Sequence, residues 1–166
     1  MRYDMMPDEI HKTILDVNLH ALWGNGYRVL LVDVDNTLAQ WNDLSVPEST
    51  VNWVQRVKKL GFSLVLFSNN GEKRVRPVAE ELDAPYLTNA RKPSASAVKK
   101  ALKLINADKK QAVLIGDQLL TDMWAGKRAK VYTVLVRPIS EKEMIFTRIN
   151  RKIEKALLAR MGVERV

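Results

Sequence analysis

An open, doubly wound α/β sheet of parallel strands is the fold class this sequence predicts, and two observations carry it. Apolar runs of strand length recur along the 166 residues, rich in Val, Leu and Ile and without clean alternation. That is how strands buried on both faces of a sheet read. Between them lie segments whose apolar residues return at helical spacing, so strand and helix alternate, and right-handed crossovers then lay helices on both faces.

The first run, YRVLLVDV (Tyr27 to Val34), brings two aspartates to its end. Ser45, Pro47 and Glu48 then stand in capping-box spacing, and Val51, Val54, Val57 and Leu60 recur at helical intervals until Gly61 stops them. FSLVLFS (Phe62 to Ser68) reads as the next strand and Glu72 to Leu82 as a helix that Pro77 should kink or shorten. PYLT (Pro85 to Thr88) is a short further strand. SASAVKKALKLINA (Ser94 to Ala107) sets Ala97, Val98, Ala101, Leu102 and Ile105 on one helical face, with Lys99, Lys100 and Lys103 mostly on the other. QAVLIGD (Gln111 to Asp117) and VYTVLV (Val131 to Val136) complete the strands. Near the C-terminus Ile145, Ile149, Ile153 and Leu157 form an apolar stripe opposed by Arg148, Arg151, Lys152 and Lys155. Such a basic amphipathic helix either packs on the sheet or lies on an anionic membrane. No repeat or linker interrupts the chain, which reads as a single domain over 1–166.

Composition narrows the chemistry. The chain has no cysteine, which removes disulfides, zinc-thiolate sites and a thiol nucleophile. Its two histidines, His11 and His20, lie near the N-terminus, so a metal would be held by oxygen ligands, which suits Mg²⁺. The N-terminal stretch carries acidic residues through its apolar positions, unlike a signal peptide, and no run reaches the roughly 20 apolar residues that span a bilayer. The expectation is a cytoplasmic protein, at most peripheral to a membrane. A net charge of +8 attracts phosphate-bearing partners. The lysines are scattered and no nucleic-acid motif is present, which argues against a nucleic-acid partner.

In such sheets ligands bind beyond the carboxyl ends of the strands. Three strand ends carry polar residues: Asp33 and Asp35 after the first, Ser68 and Asn69 after the second, Asp117 after VLIG. Gathered carboxylates repel one another and call for a cation. With Mg²⁺ present, Asp33 could attack phosphorus to form an aspartyl-phosphate. Asp35 could protonate the leaving alcohol and then take a proton from water. Phosphate monoester hydrolysis is accelerated by up to about 10²¹-fold in enzymes, so several donors must share the phosphoryl charge. Ser68, Asn69 and Lys92, the last just before Pro93 at a helix start, are suited to that.

DVDNT, FSNN, ARKP and GDQLLTD, in that order, resemble the four motifs of the haloacid-dehalogenase superfamily phosphatases. More narrowly, GDQLLTDMWAGKRAKVYTVLVRPISEKE and TRINRKIE look like the YqeG-type subfamily, class IIIA, over about Met6 to Glu154. The resemblance implies a Rossmann-like core, Asp33 as nucleophile and metal ligand, and Asp35 as acid/base with its backbone carbonyl on the metal. It further implies Thr37 positioning Asp35, Ser68 holding the phosphoryl group and Lys92 bridging nucleophile and phosphate. Asp117 would ligate Mg²⁺ directly, with Asp122 supporting from behind. Only 34 residues separate Asp33 from Ser68 and 23 separate Ser68 from Lys92, too few for a large cap domain. The subfamily is similar to phosphatases of phosphatidylglycerophosphate. Soluble sugar phosphates, nucleotides or polynucleotide ends are the alternative substrates, and a receiver-like phospho-acceptor domain is the alternative function. Trp41 and Trp124, beside the acidic motifs, are candidates to touch substrate or lipid.

Overall fold

A computed structural model describes residues 5–140, 145–160 and 162. Its centre is a six-stranded sheet in which every pairing is parallel. In chain order the strands are β1 (Glu9–His11), β2 (Val29–Val32), β3 (Ser63–Phe67), β4 (Tyr86–Leu87), β5 (Ala112–Gly116) and β6 (Tyr132–Val136), and across the sheet they run β1-β6-β5-β2-β3-β4. The helices are α1 (Leu19–Gly24), α2 (Glu48–Lys59), α3 (Glu72–Leu82), α4 (Ala95–Leu104), α5 (Trp124–Ala129) and α6 (Ile145–Arg160).

Both faces of the sheet are covered, which accounts for the unbroken apolar runs. Leu30 and Val32 of β2 pack with Leu64, Leu66, Val113 and Ile115 beneath Leu22 of α1, Trp53, Val54 and Val57 of α2 and Val75 and Val78 of α3. Val29 and Leu31 point the other way, joining Val65, Phe67 and Leu114 beneath Ala97, Val98 and Ala101 of α4 and Ala125 of α5. Period-two alternation is thus present in direction but hidden in composition, because each direction meets a helix layer.

Several local expectations are corrected. Ser45 does not cap α2; its hydroxyl donates to Asp43 Oδ1 at 2.8 Å, and the helix begins after Pro47. Pro77 does not shorten α3, which runs unbroken through it to Leu82. Pro93 precedes the cap of α4, Ser94, whose side chain accepts from the Ser96 amide. In α6 the side chains of 145–151 lie outside the described residues, and with them Ile145, Ile149, Arg148 and Arg151 of the expected stripe. Of the remainder, Ile153 is 47% exposed, while Leu157 packs with Leu158 against Leu119, Met123 and Leu135. The docked face of this helix also carries Glu154, buried to 5%, whose carboxylate accepts the Leu120 amide at 3.0 Å. β1 was not foreseen: EIH is a short, half-buried edge strand with no apolar run to announce it.

β2 lies between β3 and β5, where the chain leaves the sheet centre in one direction and later returns in the other. The carboxyl ends of these strands face one common mouth.

Candidate active site

The site is built from the residues that follow β2, β3 and β5, together with Lys92 in the loop before α4. Asp33 continues β2, its amide donating to the Ile115 carbonyl at 2.9 Å, and it is 5% exposed. The Lys92 ammonium, 8% exposed as a residue, lies 2.6 Å from Asp33 Oδ1, 2.6 Å from Asp122 Oδ1 and 3.1 Å from the Phe67 carbonyl. It also stands 5.1 Å from the centroid of the Phe67 ring. One buried cation therefore links two carboxylates that come from residues 33 and 122.

Asp122 reaches this point through a single π-helical turn, Leu119–Met123, between β5 and α5. Its second oxygen accepts the Gln118 amide at 3.1 Å. The turn folds back so tightly on the end of β5 that a Cβ on Gly116 would lie 2.4 Å from Asp122 Cγ. The glycine of GDQLLTD is thus required by the close approach of the carboxylate.

Carboxylate oxygens of Asp33, Asp117 and Asp122 all lie within 4.8 Å of one another, and all three residues are buried. Burial pushes the Asp33 carboxyl up from 3.8 to about 7, with Lys92 opposing and Asp122 and Asp35 adding to the rise. Burial works to lower the Lys92 ammonium, but Asp122 and Asp33 outweigh it and its pKa is raised. An all-oxygen donor set of buried carboxylates, one of them reluctant to ionise, fits a hard divalent cation. Asp122 holds Lys92 with one oxygen and the Gln118 amide with the other, while Asp33 and Asp117 could offer carboxylate oxygens to such a cation.

Asp35 stands at the rim, with a side-chain exposure of 15%. Its Oδ1 accepts from Arg74 Nε at 2.7 Å, and its Oδ2 accepts from Asn70 Nδ2 at 2.6 Å and, more distantly, from Ser68 Oγ at 3.5 Å. Ser68 itself is 1% exposed and its hydroxyl also accepts the Asn70 amide at 3.0 Å. Two further expected residues have these surroundings. The Thr37 hydroxyl makes no hydrogen bond to Asp35; it is buried and meets no hydrogen-bond partner among the described residues. Asn69, expected to meet substrate, brackets the backbone of Lys92: its Nδ2 donates to the Lys92 carbonyl at 3.2 Å and its Oδ1 accepts the Lys92 amide at 2.7 Å. Sequence reading missed Arg74 and the part played by Asn70. Arg74 sits in EKRVR, among charges of every kind, and only its place one turn after FSNN could have singled it out.

Trp41 and Trp124 are half-buried, and Arg128 lies 5.5 Å over the Trp124 ring. A cleft of about 460 Å³ between the start of α1 and α2, lined by Leu15, Val17, Trp53 and Arg56, contains none of the site residues. The candidate site residues gather instead at a strand-end mouth, where ligands bind in open parallel sheets.

Buried carboxylates around a lysine at the mouth of an all-parallel sheet suit phosphoryl-transfer chemistry, and the relatives of this chain identify the class as phosphatase. Residues 89–142 match the HAD-hydrolase-like family model. The chain is 34% identical over 93% of its length to a probable phosphatase, YqeG, of Bacillus subtilis, and covers 90% of that protein. It is 25% identical to phosphatidylglycerophosphate phosphatase 1 of Arabidopsis thaliana over 96% of this chain, and spans about half, 49%, of that protein's length. Among solved structures, an uncharacterized protein from Corynebacterium glutamicum superposes with a TM-score of 0.53 at 24% identity, covering 85% of this chain and 99% of that one, a likeness of fold alone. The chain belongs to the haloacid dehalogenase-like hydrolases and, among them, to the YqeG-type phosphatases.

Proposed function

We propose that this phosphatase is Mg²⁺-dependent, works through an aspartyl-phosphate on Asp33, and acts on phosphatidylglycerophosphate. The observation that carries the chemistry is the buried Lys92 ammonium held 2.6 Å from both Asp33 and Asp122, with Asp117 in the same cluster. An entering phosphate monoester would share the Lys92 charge with Asp33 and take the Ser68 hydroxyl as a donor. Mg²⁺, when bound by Asp33 and Asp117, supplies neutralisation of phosphoryl charge and favours the ionised nucleophile. An Asp33 oxygen attacks phosphorus as the bond to the leaving alcohol breaks, and Asp35 gives that alcohol its proton. Asp35 then accepts a proton from water, whose oxygen displaces Asp33 from phosphorus.

The substrate reading rests on the Arabidopsis relative, on the +8 charge and on an open mouth, where Asn69 and Asn70 are exposed. An open site suits a phosphate presented on a surface too large to be enclosed.

The test is phosphate release, with and without Mg²⁺, from phosphatidylglycerophosphate in anionic vesicles beside glycerol phosphate, nucleotides and 3'-phosphorylated DNA. The lipid should be preferred, and Asp33→Asn should abolish turnover while keeping the thermal midpoint. Preference for a soluble phosphate would remove the lipid assignment. Activity retained in Asp33→Asn would remove the nucleophile, and a long-lived phosphoprotein without turnover would favour a receiver-like domain.

A further inference from the structure

We propose that Arg74 is a positioning residue that holds the second aspartate ready for the hydrolytic half of the reaction. The inference rests on the reading of Asp35 as the proton-transfer group and adds to it the residue that sets its orientation.

Arg74 is the third residue of α3 and the only basic side chain that ties this helix to Asp35 among the described residues. Its Nε donates to Asp35 Oδ1 at 2.7 Å, and its Nη2 donates to the Gln40 carbonyl at 2.8 Å. The guanidinium therefore staples the loop after β2 at two points five residues apart, the carboxylate of 35 and the backbone of 40. Here the two bonds are made by different nitrogens of one planar guanidinium, a fixed fork that lysine lacks. The remaining nitrogen, Nη1, is buried without a hydrogen-bond partner among the described residues. It is closed off from solvent, so the guanidinium is not laid open as an anion receptor. A buried donor left without a partner costs free energy, and that cost is offset here by the two bonds that the other nitrogens make.

The other side of Asp35 is closed by Asn70, whose Nδ2 lies 2.6 Å from Oδ2. Both oxygens thus accept hydrogen bonds, the arrangement of an ionised carboxylate whose orientation is fixed from two sides. It suits the second half-reaction, in which a water proton passes to Asp35 while the water oxygen forms its bond to phosphorus and the bond from phosphorus to Asp33 breaks. Arg74 itself takes no part in bond making; it determines where Asp35 points when the water arrives.

The experiment is rapid-mixing kinetics with p-nitrophenyl phosphate and Mg²⁺, whose good leaving group makes the first half fast. Wild-type enzyme and the Arg74→Gln, Arg74→Lys, Asp35→Asn and Arg74→Gln/Asp35→Asn variants are compared. Arg74→Gln should still release a burst of about one p-nitrophenolate per enzyme, then turn over about 10²-fold more slowly, the scale of proton-transfer catalysis, with KM unchanged or lower. Arg74→Lys should recover part of the lost kcat, and the losses in the double variant should fall well short of additive. A burst slowed in step with kcat, a raised KM at unchanged kcat, or additive losses would each overturn the positioning role. If Arg74→Gln fails to fold, the same burst and KM criteria are applied to Arg74→Lys. Acid-quenched wild-type enzyme separates the two readings. No phosphoenzyme at all sinks the aspartyl-phosphate mechanism, whereas a phosphoenzyme that accumulates in Asp35→Asn but not in the Arg74 variants sinks the Arg74 inference alone.

Discussion

At the scale of single residues, the site is governed by how much charge a small buried volume can tolerate. Asp33 gains a pKa of about 7 mainly because burial disfavours its ionised form. Since the folded value lies above the ordinary 3.8, the native state holds this proton more tightly than the unfolded chain. Its contribution to stability is complete below that ordinary value and is lost as pH rises through about 7. Without Mg²⁺ the thermal midpoint should therefore fall as pH rises from about 4 to about 7. Mg²⁺ should restore it more at the higher pH, and Asp33→Asn should flatten the response. Calorimetry at the two pH values checks this, and equal stabilisation by Mg²⁺ at both would contradict it. Gly116 makes a second prediction, because the Cβ of Gly116→Ala would sit 2.4 Å from Asp122 Cγ. Displacing that carboxylate loosens Lys92, so turnover should drop by about 10²-fold or more, with about 1–3 kcal/mol lost from stability through overpacking. Activity and urea unfolding measured together separate the two effects.

At the scale of elements, the strand ends were legible because a parallel sheet fixes which end of each strand is functional. Once YRVLLVDV, FSLVLFS and QAVLIGD were read as parallel, Asp33, Ser68 and Asp117 had to share one edge. What the pattern could not carry was side-chain pairing within that edge. Which of two adjacent asparagines faces Asp35, and that Asn69 holds Lys92, depend on local backbone turns, not on periodicity. Nor could it reveal β1, whose three residues show no apolar alternation. The C-terminal helix illustrates a different limit: its amphipathic pattern was compatible with either partner, and the Glu154 contact to Leu120 lies on the face that docks. Glu154→Ala would leave the Leu120 amide without that acceptor, and should cost about 1–3 kcal/mol. It should also free the π-helical turn that carries Asp122, so hydrogen exchange at 119–123 should rise in the variant; unchanged exchange there would show that α6 does not brace the turn.

At the scale of the molecule, 27 basic residues against 19 acidic ones give a surface field that acts before any specific contact. No described helix is long and apolar enough to cross a membrane. With a net charge of +8, attraction to an anionic lipid surface would be electrostatic, and such attraction falls as the Debye length shrinks from about 10 Å at 0.1 M salt to about 3 Å at 1 M. Co-sedimentation with vesicles containing phosphatidylglycerol should be strong in low salt, weak in high salt, and absent with neutral lipid. Binding that ignores both salt and headgroup charge would point to apolar insertion instead.

The edge strand found at the start of the chain bears on the order in which the molecule is made. β1 pairs with β6, and the Asp8 carboxylate beside it accepts from the Thr133 amide across 125 residues of sequence. Synthesis proceeds from the N-terminus to the C-terminus, so β1 leaves the ribosome well before β6, the strand it pairs with among the described residues. The centre of the sheet, β2 with β3, can form long before. A nascent chain should thus acquire the strand that carries Asp33 early and its outer edge late, and residues 9–11 should stay open to protease until β6 has emerged.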